Sequence, residues 1–439
     1  MRALLVISVV LVGLGAAMWN RFAGLLLYLW FSLFRPQEWV WGAIDQLRLS
    51  LVIGVAFLIP CLLTGVFPNL THPTSIASLL LLLNGFVSQF NAIDQAEGWF
   101  YLDQLWRVII VSLLAVTLTT TRKRFYLLLA VVAGSLGLHG AKFGVVFLMR
   151  GGARFQSGIG GTFGDNNDFG LAVVRVLFLM AAVAAVSSNA WVKRGFVAMA
   201  ALSVFCVIGT YSRGAFLALA AGTVTFLLLR RRIMPVLVLA SIGLVAVAFV
   251  PLPQDYIERL QTIQTYEDVG ESSALSRLYF WQVAVRMASD NPLGVGVRNF
   301  EENYDSYDET GGRYGLRRSV HSSHFQVLAE LGPGGFVVWV WLWCYCLWRL
   351  HILRRQARSG KLRESESDFV LTVSTALAAS AVSFVVGGSF LAQAFNDLNW
   401  ITFALVAALD RHAARSCAEG DEPASTSSSA RFPAQARPC

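Results

Sequence analysis

The sequence has few charged residues for its length. Of 439 residues, 14% are charged and 56% are hydrophobic, and the mean hydropathy is +0.58. Soluble globular proteins have about 25% charged and about 45–50% apolar residues. Most apolar residues here fall in long runs, and roughly 20 apolar helical residues cross the hydrocarbon core of a bilayer. The composition therefore excludes a soluble globular protein and predicts an all-α, polytopic membrane helix bundle, since helices satisfy their own backbone polar groups in lipid.

Several common kinds of site are missing. The six cysteines lie in apolar segments or in the tail and none lies in the polar segment 252–322, so neither a disulfide framework nor a zinc site is predicted. No group of His, Asp and Glu has the spacing of metal ligands. The glycine-rich turn 160–168 lacks the Gly-Lys-Ser/Thr ending of a P-loop. We therefore expect no metal and no cofactor.

Thirteen apolar segments are candidate membrane spans: 3–18, 22–34, 50–67, 75–90, 105–120, 125–148, 169–187, 195–210, 213–229, 233–250, 324–349, 367–388 and 398–410. The segment 22–34 is short, and if it is re-entrant or part of a tilted hairpin, about 12 spans remain. The N-terminal run resembles a signal sequence but has no clear cleavage site. We expect a retained first helix.

Positive charges concentrate at alternate ends of these segments. The basic clusters lie at 122–124, 193–194, 230–232 and 349–363. Cytoplasmic loops are enriched in Lys and Arg, so these ends are predicted to be cytoplasmic. The turn 151–168, Arg213 and the segment 252–322 then lie on the external side. This placement accounts for the net charge of +8, and no nucleic-acid partner is predicted.

The predicted organisation has four parts. Residues 1–251 hold about ten transmembrane helices, 252–322 form one large external loop that contains helices, 323–410 hold the C-terminal transmembrane helices, and 411–439 form a disordered cytoplasmic tail. The loop contains eleven of the 27 acidic residues, seven arginines and no lysine. A long patterned loop of this kind is usually functional.

One segment of the loop has helical periodicity. Leu278, Trp281 and Val285 are spaced as on one face of a helix, so 275–289 is predicted to be an amphipathic helix that lies along the bundle.

Two residues at external helix mouths are candidates for chemistry. His321 precedes a span with a glycine-rich break, and imidazole accepts protons near neutral pH, so it is a candidate general base. The alternative is a histidine that caps the helix or lies at the interface. Arg213 is flanked by small residues, and its planar guanidinium matches phosphate oxygens. The alternative for Arg213 is snorkelling to the interface.

Further polar residues of the external side are candidates for substrate binding: Arg277, Arg286, Arg298, Asn166 and Asn167. The turn 160–168, which holds the two asparagines, either lines a sugar site or caps a helix beginning at Phe169 through Asp168, and the two roles are compatible. One base and several arginines without a metal suit transfer from an anionic, lipid-linked donor with a diphosphate leaving group.

At these residues the sequence resembles the O-antigen ligase family of Gram-negative inner membranes, whose superfamily also includes O-antigen polymerases and bacterial protein O-oligosaccharyltransferases. The family pattern is a His, then Asn, Ser or Gln, nine residues, a Gly, and three positions later a Gly, Thr or Tyr. It is matched by His321, Ser322, Gly332 and Gly335. The segments 212–215, 276–281 and 291–296 look like other family motifs, and 35–38 is also seen in related ligases. The resemblance covers roughly 160–335.

The resemblance implies a GT-C-like, metal-independent, inverting glycosyltransferase of the bacterial inner membrane with a periplasmic active site. It would transfer O-antigen polysaccharide from undecaprenyl diphosphate to a sugar hydroxyl of lipid A-core. Membrane lipids would surround the bundle as further partners. His321 would be the catalytic base, and Arg213 and Arg277 would hold the diphosphate. His324 departs from the family pattern, in which aromatic residues are commoner there, and is kept as a second basic candidate.

Three alternatives stay open. Two are an O-antigen polymerase and a protein O-oligosaccharyltransferase, such as an exosortase-associated O-glycosylation ligase, which share the motif. The third, from another class, is a transporter of lipid-linked glycan with the loop as a lid.

Overall fold

The computed structural model describes residues 2–39, 49–231 and 273–421. The first nine helices are α1 (Arg2–Trp19), α2 (Arg21–Phe34), α3 (Leu49–Leu63), α4 (Pro73–Ser88), α5 (Gln95–Leu118), α6 (Arg122–Met149), α7 (Asn166–Val186), α8 (Ala190–Thr210) and α9 (Arg213–Leu229). From residue 273 onward follow α10 (Ser273–Asp290), α11 (Phe300–Tyr307), α12 (Ser323–Arg358), α13 (Glu364–Gly387) and α14 (Asp397–Asp421). An antiparallel hairpin, β1 (Ser157–Gly160) and β2 (Phe163–Asp165), precedes α7.

The helices confirm the predicted all-α membrane protein. In the described part, α4 (with the short turn that follows it), α5, α6, α7, α8, α12 and α13 are long and apolar enough to cross a membrane, which makes seven candidate spans. Shorter apolar helices are α1, α2, α3 and α9. Each predicted span that falls in the described ranges coincides with a helix. The predicted span 233–250, the loop residues 252–272 and the tail beyond Asp421 lie outside those ranges, and α14 extends past the predicted boundary at 410.

Helix α7 lies at the centre of the bundle. It packs against α6, α8, α9 and α13, and it is apolar on nearly all sides, as expected for a helix without a solvent face. Small residues let neighbouring helices approach closely. A Cβ on Gly144 of α6 would lie 1.9 Å from the Leu202 carbonyl oxygen of α8, and one on Gly222 of α9 would lie 2.1 Å from the Ser383 hydroxyl of α13.

Three of the predicted basic helix ends, the start of α6 and the ends of α9 and α12, lie at one end of the bundle. Arg354 and Arg358 of α12 donate to the Leu229 carbonyl oxygen of α9 at 2.5 and 2.8 Å. Arg122 of α6 donates to the Ser365 carbonyl oxygen of α13 at 2.6 Å. The starts of α7, α9 and α12 lie at the opposite end, which carries the site described below.

Helix α10 confirms the helix predicted at 275–289, but the apolar face that predicts it is not the face that is buried. Phe280 and Val283 are buried in a small core, whereas Leu278 is 50% and Val285 46% exposed. Trp281 is half-buried. Apolar residues recur at helical spacing on two faces of this segment. Packing against α11 and α12 buries the face that carries Phe280 and Val283.

Candidate functional site

A cavity of about 540 Å³, called here the main cavity, lies where α7, α9 and α12 begin. Its walls come from the start of α7, the α8–α9 junction, the segment 277–321 and the α13–α14 loop. The lining residues are Arg154, Asp165, Asn167, Asp168, Tyr211, Ser212, Arg213, Gly214, Arg277, Arg298, Glu301, Ser319, His321, Phe390, Leu391 and Ala392. Five predicted site residues are therefore brought together: Asn167, Arg213, Arg277, Arg298 and His321.

His321 is held in an uncommon backbone conformation. Its φ is +47°, in the left-handed region that non-glycine residues rarely adopt and that recurs at functional sites. The next residue, Ser322, caps α12 by accepting a hydrogen bond from the Phe325 N–H at 3.4 Å. The His321 ring is half-buried, with its centroid 6.1 Å from that of Phe280. It makes no hydrogen bond to another residue of the described ranges, so its basic nitrogen is free to meet a substrate.

The surroundings of His321 disfavour protonation. Burial lowers the pKa of the imidazole, and the nearby positive charges of Arg277 and Arg318 lower it further, while Asp165 acts in the opposite direction. The ring is therefore neutral at neutral pH, which is the state that a general base requires.

Arg213 and Arg277 form a pair of like charges. Arg213 is the first residue of α9, whose cap Ser212 accepts from the Ala215 N–H at 3.3 Å. Burial lowers the pKa of Arg277, and Arg213 lowers it further by repulsion. Neither guanidinium forms an ion pair with a carboxylate of residues 2–39, 49–231 or 273–421. Two adjacent cations without a counterion among these residues favour a bound anion.

Helix N-termini strengthen this anion preference. α7, α9 and α12 all begin at the main cavity, and the positive ends of their dipoles attract negative charge. The predicted start of α7 at Phe169 with Asp168 as its cap is wrong. The helix begins at Asn166, and Asp165 caps it by accepting from the Asn167 N–H at 2.7 Å. An Asp three residues earlier offers the same side chain, so the sequence leaves the register of the cap open, and Asp168 instead lines the cavity.

Arg298 differs from the other two arginines because it has partners. Its backbone, at φ +59°, donates from N–H to the buried Glu330 carboxylate at 2.7 Å. Its guanidinium lies over the Tyr101 ring, 4.6 Å from the centroid, and donates to the Tyr101 hydroxyl at 3.3 Å. Burial alone would lower the pKa of Arg298, but Tyr101 and Glu330 raise it. This cation is held firmly in the cavity wall.

The glycines of the family-like motifs serve close backbone packing. Gly332 kinks α12 with φ +71°, and a Cβ there would lie 2.2 Å from the Pro292 carbonyl oxygen. A Cβ on Gly294 would lie 2.3 Å from the Glu330 carbonyl oxygen, which accepts from the Gly296 N–H at 3.2 Å. The segment 291–296 thus docks on the kink of α12, and this contact positions Arg298 and the start of α12.

The α13–α14 loop completes the wall and carries no sequence motif that predicted it. The Ser323 hydroxyl donates to the Leu391 carbonyl oxygen at 2.6 Å and accepts from the Gln393 N–H at 2.9 Å. The Ser323 N–H donates to the Gly388 carbonyl oxygen at 2.7 Å. The residue two positions after His321 therefore ties this distant loop to the site.

Three predicted site residues do not line the main cavity. The Asn166 amide donates to the Phe155 carbonyl oxygen at 3.0 Å inside the bundle. His324 is bonded on both ring nitrogens, to the Val385 carbonyl oxygen at 3.0 Å and to the Trp339 indole N–H at 3.1 Å. These two side chains are engaged in packing the helices.

The third is Arg286, which holds the segment after α10 together. It pairs with Glu309 at 3.1 Å, and its guanidinium lies 5.5 Å from the centroid of the Tyr279 ring. The Tyr279 hydroxyl donates to Asp308 at 2.8 Å. Burial alone would raise the pKa of Asp308, but bonds from neighbouring hydroxyl and N–H groups outweigh it and bring the pKa to about 2.

A carboxylate group outside the main cavity was not predicted. Asp94, Glu97 and Glu302 bring oxygen atoms within 4.8 Å of one another. Asp94 accepts from the Glu97 N–H at 2.9 Å, and Glu302 forms an ion pair with Arg317. Glu302 lies over 200 residues from Asp94 and Glu97 in the sequence, which is why no set of three ligands is visible there.

Two family models match the chain. Residues 197–340 match the model described as O-Antigen ligase, and residues 1–196 match that of a family of unknown function (DUF5935). No curated protein matches the sequence. The main cavity draws on both regions, with His321, Arg213, Arg277 and Arg298 in the first and Asn167 in the second. The resemblance inferred from the sequence is confirmed over residues 197–340, which match the O-antigen ligase model.

Proposed function

We propose that the protein transfers O-antigen polysaccharide from undecaprenyl diphosphate to a sugar hydroxyl of lipid A-core, as an inverting glycosyltransferase that needs no metal. One observation carries the proposal. A neutral imidazole without a protein hydrogen bond among the described residues lines the same cavity as two arginines that lack a counterion there. A base beside an anion site matches a reaction in which a hydroxyl attacks and a diphosphate leaves.

In the proposed step, His321 accepts the proton of the acceptor hydroxyl while its oxygen attacks the anomeric carbon of the donor glycan. A new glycosidic bond forms, and the bond from the anomeric carbon to the diphosphate oxygen breaks. Undecaprenyl diphosphate leaves with the bonding electron pair. A single displacement of this kind inverts the anomeric configuration.

Arg213 and Arg277 stabilise the charge that develops on the leaving diphosphate. Their guanidinium groups donate in pairs to phosphate oxygens, and the α9 N-terminus adds its dipole. Arg298 and Asn167, which also line the cavity, orient the donor. Holding these groups in place before the reaction is what makes such stabilisation effective, because nothing has to reorganise in the transition state.

We place the site on the periplasmic side of a bacterial inner membrane, in a GT-C-like bundle. The support is the position of the basic helix ends: those of α6, α9 and α12 lie at one end of the bundle, and the main cavity lies at the other. Under the positive-inside rule the basic end is cytoplasmic.

Transfer by the purified protein tests the proposal and separates it from its alternatives. Undecaprenyl-diphosphate-linked polysaccharide is supplied with lipid A-core, with a second lipid-linked repeat, or with a Ser/Thr peptide, without metal or nucleotide. We expect a glycosylated lipid A-core. Product only with the lipid-linked repeat indicates a polymerase, and product only with the peptide indicates a protein O-oligosaccharyltransferase. No product with any acceptor contradicts a transferase.

A further inference from the structure

A second cavity, of about 290 Å³, adjoins the main one. The two share Asp168, Arg298 and Ala392 as a common wall. The second cavity continues toward the start of α5 and the end of α2, away from Arg213 and Arg277. A ligand that reaches from one cavity into the other therefore passes Arg298.

The lining of the second cavity differs chemically from that of the main cavity. It has four carboxamides and three aromatic rings, from Gln104, Gln326, Gln393, Asn396, Phe100, Tyr101 and Phe395. A carboxamide both donates and accepts hydrogen bonds, as neighbouring sugar hydroxyls do. An aromatic face carries partial negative charge and packs against apolar C–H groups. Rings and amides together fit the two kinds of surface on a pyranose.

Charge in this cavity is largely compensated. Arg35 pairs with Glu38 at 2.8 Å, and the Arg298 guanidinium lies over the Tyr101 ring, 4.6 Å from its centroid, within electrostatic reach of the Glu330 carboxylate. Asp168 contributes a carboxyl group to the shared wall. The uncompensated cation pair of the main cavity has no counterpart here, so an uncharged ligand is favoured over a phosphate.

The amides are held in place before any ligand binds. The Asn396 amide donates to the Gln393 side-chain oxygen at 2.6 Å, and the Gln326 side-chain oxygen accepts from the Ala394 N–H at 3.2 Å. Arg35 brings one unsatisfied group to this wall. Its Nε is buried and has no hydrogen-bond partner among the described residues.

Packing at the turn between β1 and β2 fixes Arg35. A Cβ on Gly161 would lie 2.3 Å from the Arg35 guanidinium, and one on Gly160 would lie 2.6 Å from the Glu38 carboxyl carbon. Both glycines have positive φ, +89° and +53° for Gly160 and Gly161. The segment 35–38 and residues 160–162 of the turn, which have no role in the proposed reaction, thus build one wall together.

We infer that the second cavity binds an uncharged pyranose of the glycan substrate, next to the bond that is made. The inference rests on the proposed function for the identity of the glycan. The sugar belongs either to the donor polysaccharide or to the acceptor core, and both present the same chemistry.

Two exposed residues of α5 allow a test that spares the fold. Gln104→Ala and Phe100→Ala change side chains that project from the helix surface into the cavity lining. Phe90→Ala is the matched control, since Phe90 is 81% exposed, close in sequence and outside both cavities. Binding to the purified full-length protein is measured for undecaprenyl diphosphate without sugar, for glycan-linked undecaprenyl diphosphate and for lipid A-core.

We expect each of the two variants to weaken one sugar-bearing ligand about fivefold, the usual effect of losing a hydrogen bond or ring contact. Undecaprenyl diphosphate without sugar and the control should bind as before. Weakening of the glycan-linked lipid alone assigns the sugar to the donor, and weakening of lipid A-core alone assigns it to the acceptor. Unchanged binding of both, or equal weakening of the sugar-free lipid, overturns the inference. Because binding is read directly, a wild-type protein that binds glycan but transfers none would refute the proposed reaction and leave this result standing.

Discussion

The backbone N–H of Arg298 donates to the carboxylate of Glu330 across 2.7 Å, and this bond fixes a left-handed residue in the wall between the two cavities. Glu330 is buried on α12, and its only other side-chain partner in the described ranges is the Gln326 amide at 3.4 Å. The carboxylate thus holds a substrate-facing arginine without touching the main cavity itself.

Glu330→Ala should destabilise the protein by about 1–3 kcal/mol, because the Arg298 N–H loses its acceptor in a largely buried position. Glu330→Gln retains an acceptor oxygen and should cost less than half of that. Thermal unfolding in detergent measures the loss of stability, and donor affinity measures the effect on Arg298. Equal stability of the Ala and Gln variants would show that the bond to Arg298 does not matter.

The kink at Gly332 leads to a second prediction, on the stability of a variant with a side chain at this position. Gly332→Ala puts a Cβ 2.2 Å from the Pro292 carbonyl oxygen at φ +71°, so the segment 291–296 must move. We expect a loss of at least about 2 kcal/mol in stability. Gly334→Ala is the control: no atom lies within 4 Å of its added Cβ, and Ala is the better helix former by about 0.5–1 kcal/mol. Similar melting temperatures for the two variants would contradict the docking described here.

The arginine pair predicts how donor affinity responds to charge and shape. Arg213→Ala or Arg277→Ala should each weaken binding of undecaprenyl diphosphate about 10- to 100-fold, the loss of a charged hydrogen bond. Lys should restore only part of this, because it lacks the planar fork. Arg313→Ala removes the same charge from an exposed position outside the cavity and should leave affinity unchanged. The role in diphosphate binding is refuted if Arg213→Ala and Arg277→Ala bind undecaprenyl diphosphate as tightly as Arg313→Ala does.

The rate should depend on pH through His321. Its pKa in the free protein is lowered from the ordinary 6.5, so kcat/KM should rise with pH through a midpoint below 6.5 and then level off. Bound diphosphate adds negative charge beside the ring and raises this pKa, so the kcat profile should level off at higher pH. Arg318→Ala removes a charge that repels the protonated imidazole, so it should raise the His321 pKa and move the midpoint of the kcat/KM profile to higher pH. A kcat/KM midpoint well above 6.5 would contradict a neutral base.

The helices, and the side of the bundle on which three candidate residues lie, are predictable from local signals. Apolar length predicts spans, and charge at their ends predicts their orientation, so the sequence predicts that His321, Arg213 and Arg277 share one side. Their meeting in one cavity agrees with that placement.

Other features depend on tertiary contacts that leave no local signal. The carboxylates Asp94 and Glu302 are over 200 residues apart in sequence, and the loop 390–392 reaches the cavity only through bonds to Ser323. The buried face of α10 was missed because two faces are apolar and the neighbours decide between them. Asn166 and His324 bond to neighbouring helices and loops instead of lining the main cavity, and the sequence does not distinguish the two cases, because a polar side chain near a helix end is compatible with either.

The most direct test of the account is transfer by purified His321→Ala protein, measured together with its affinity for undecaprenyl diphosphate. Removal of the base should lower the rate of transfer about 10²–10⁴-fold or more. Binding of undecaprenyl diphosphate should remain within about twofold of wild type, because the arginines that hold the diphosphate are untouched. Transfer to lipid A-core at the wild-type rate by a folded His321→Ala variant would contradict the account.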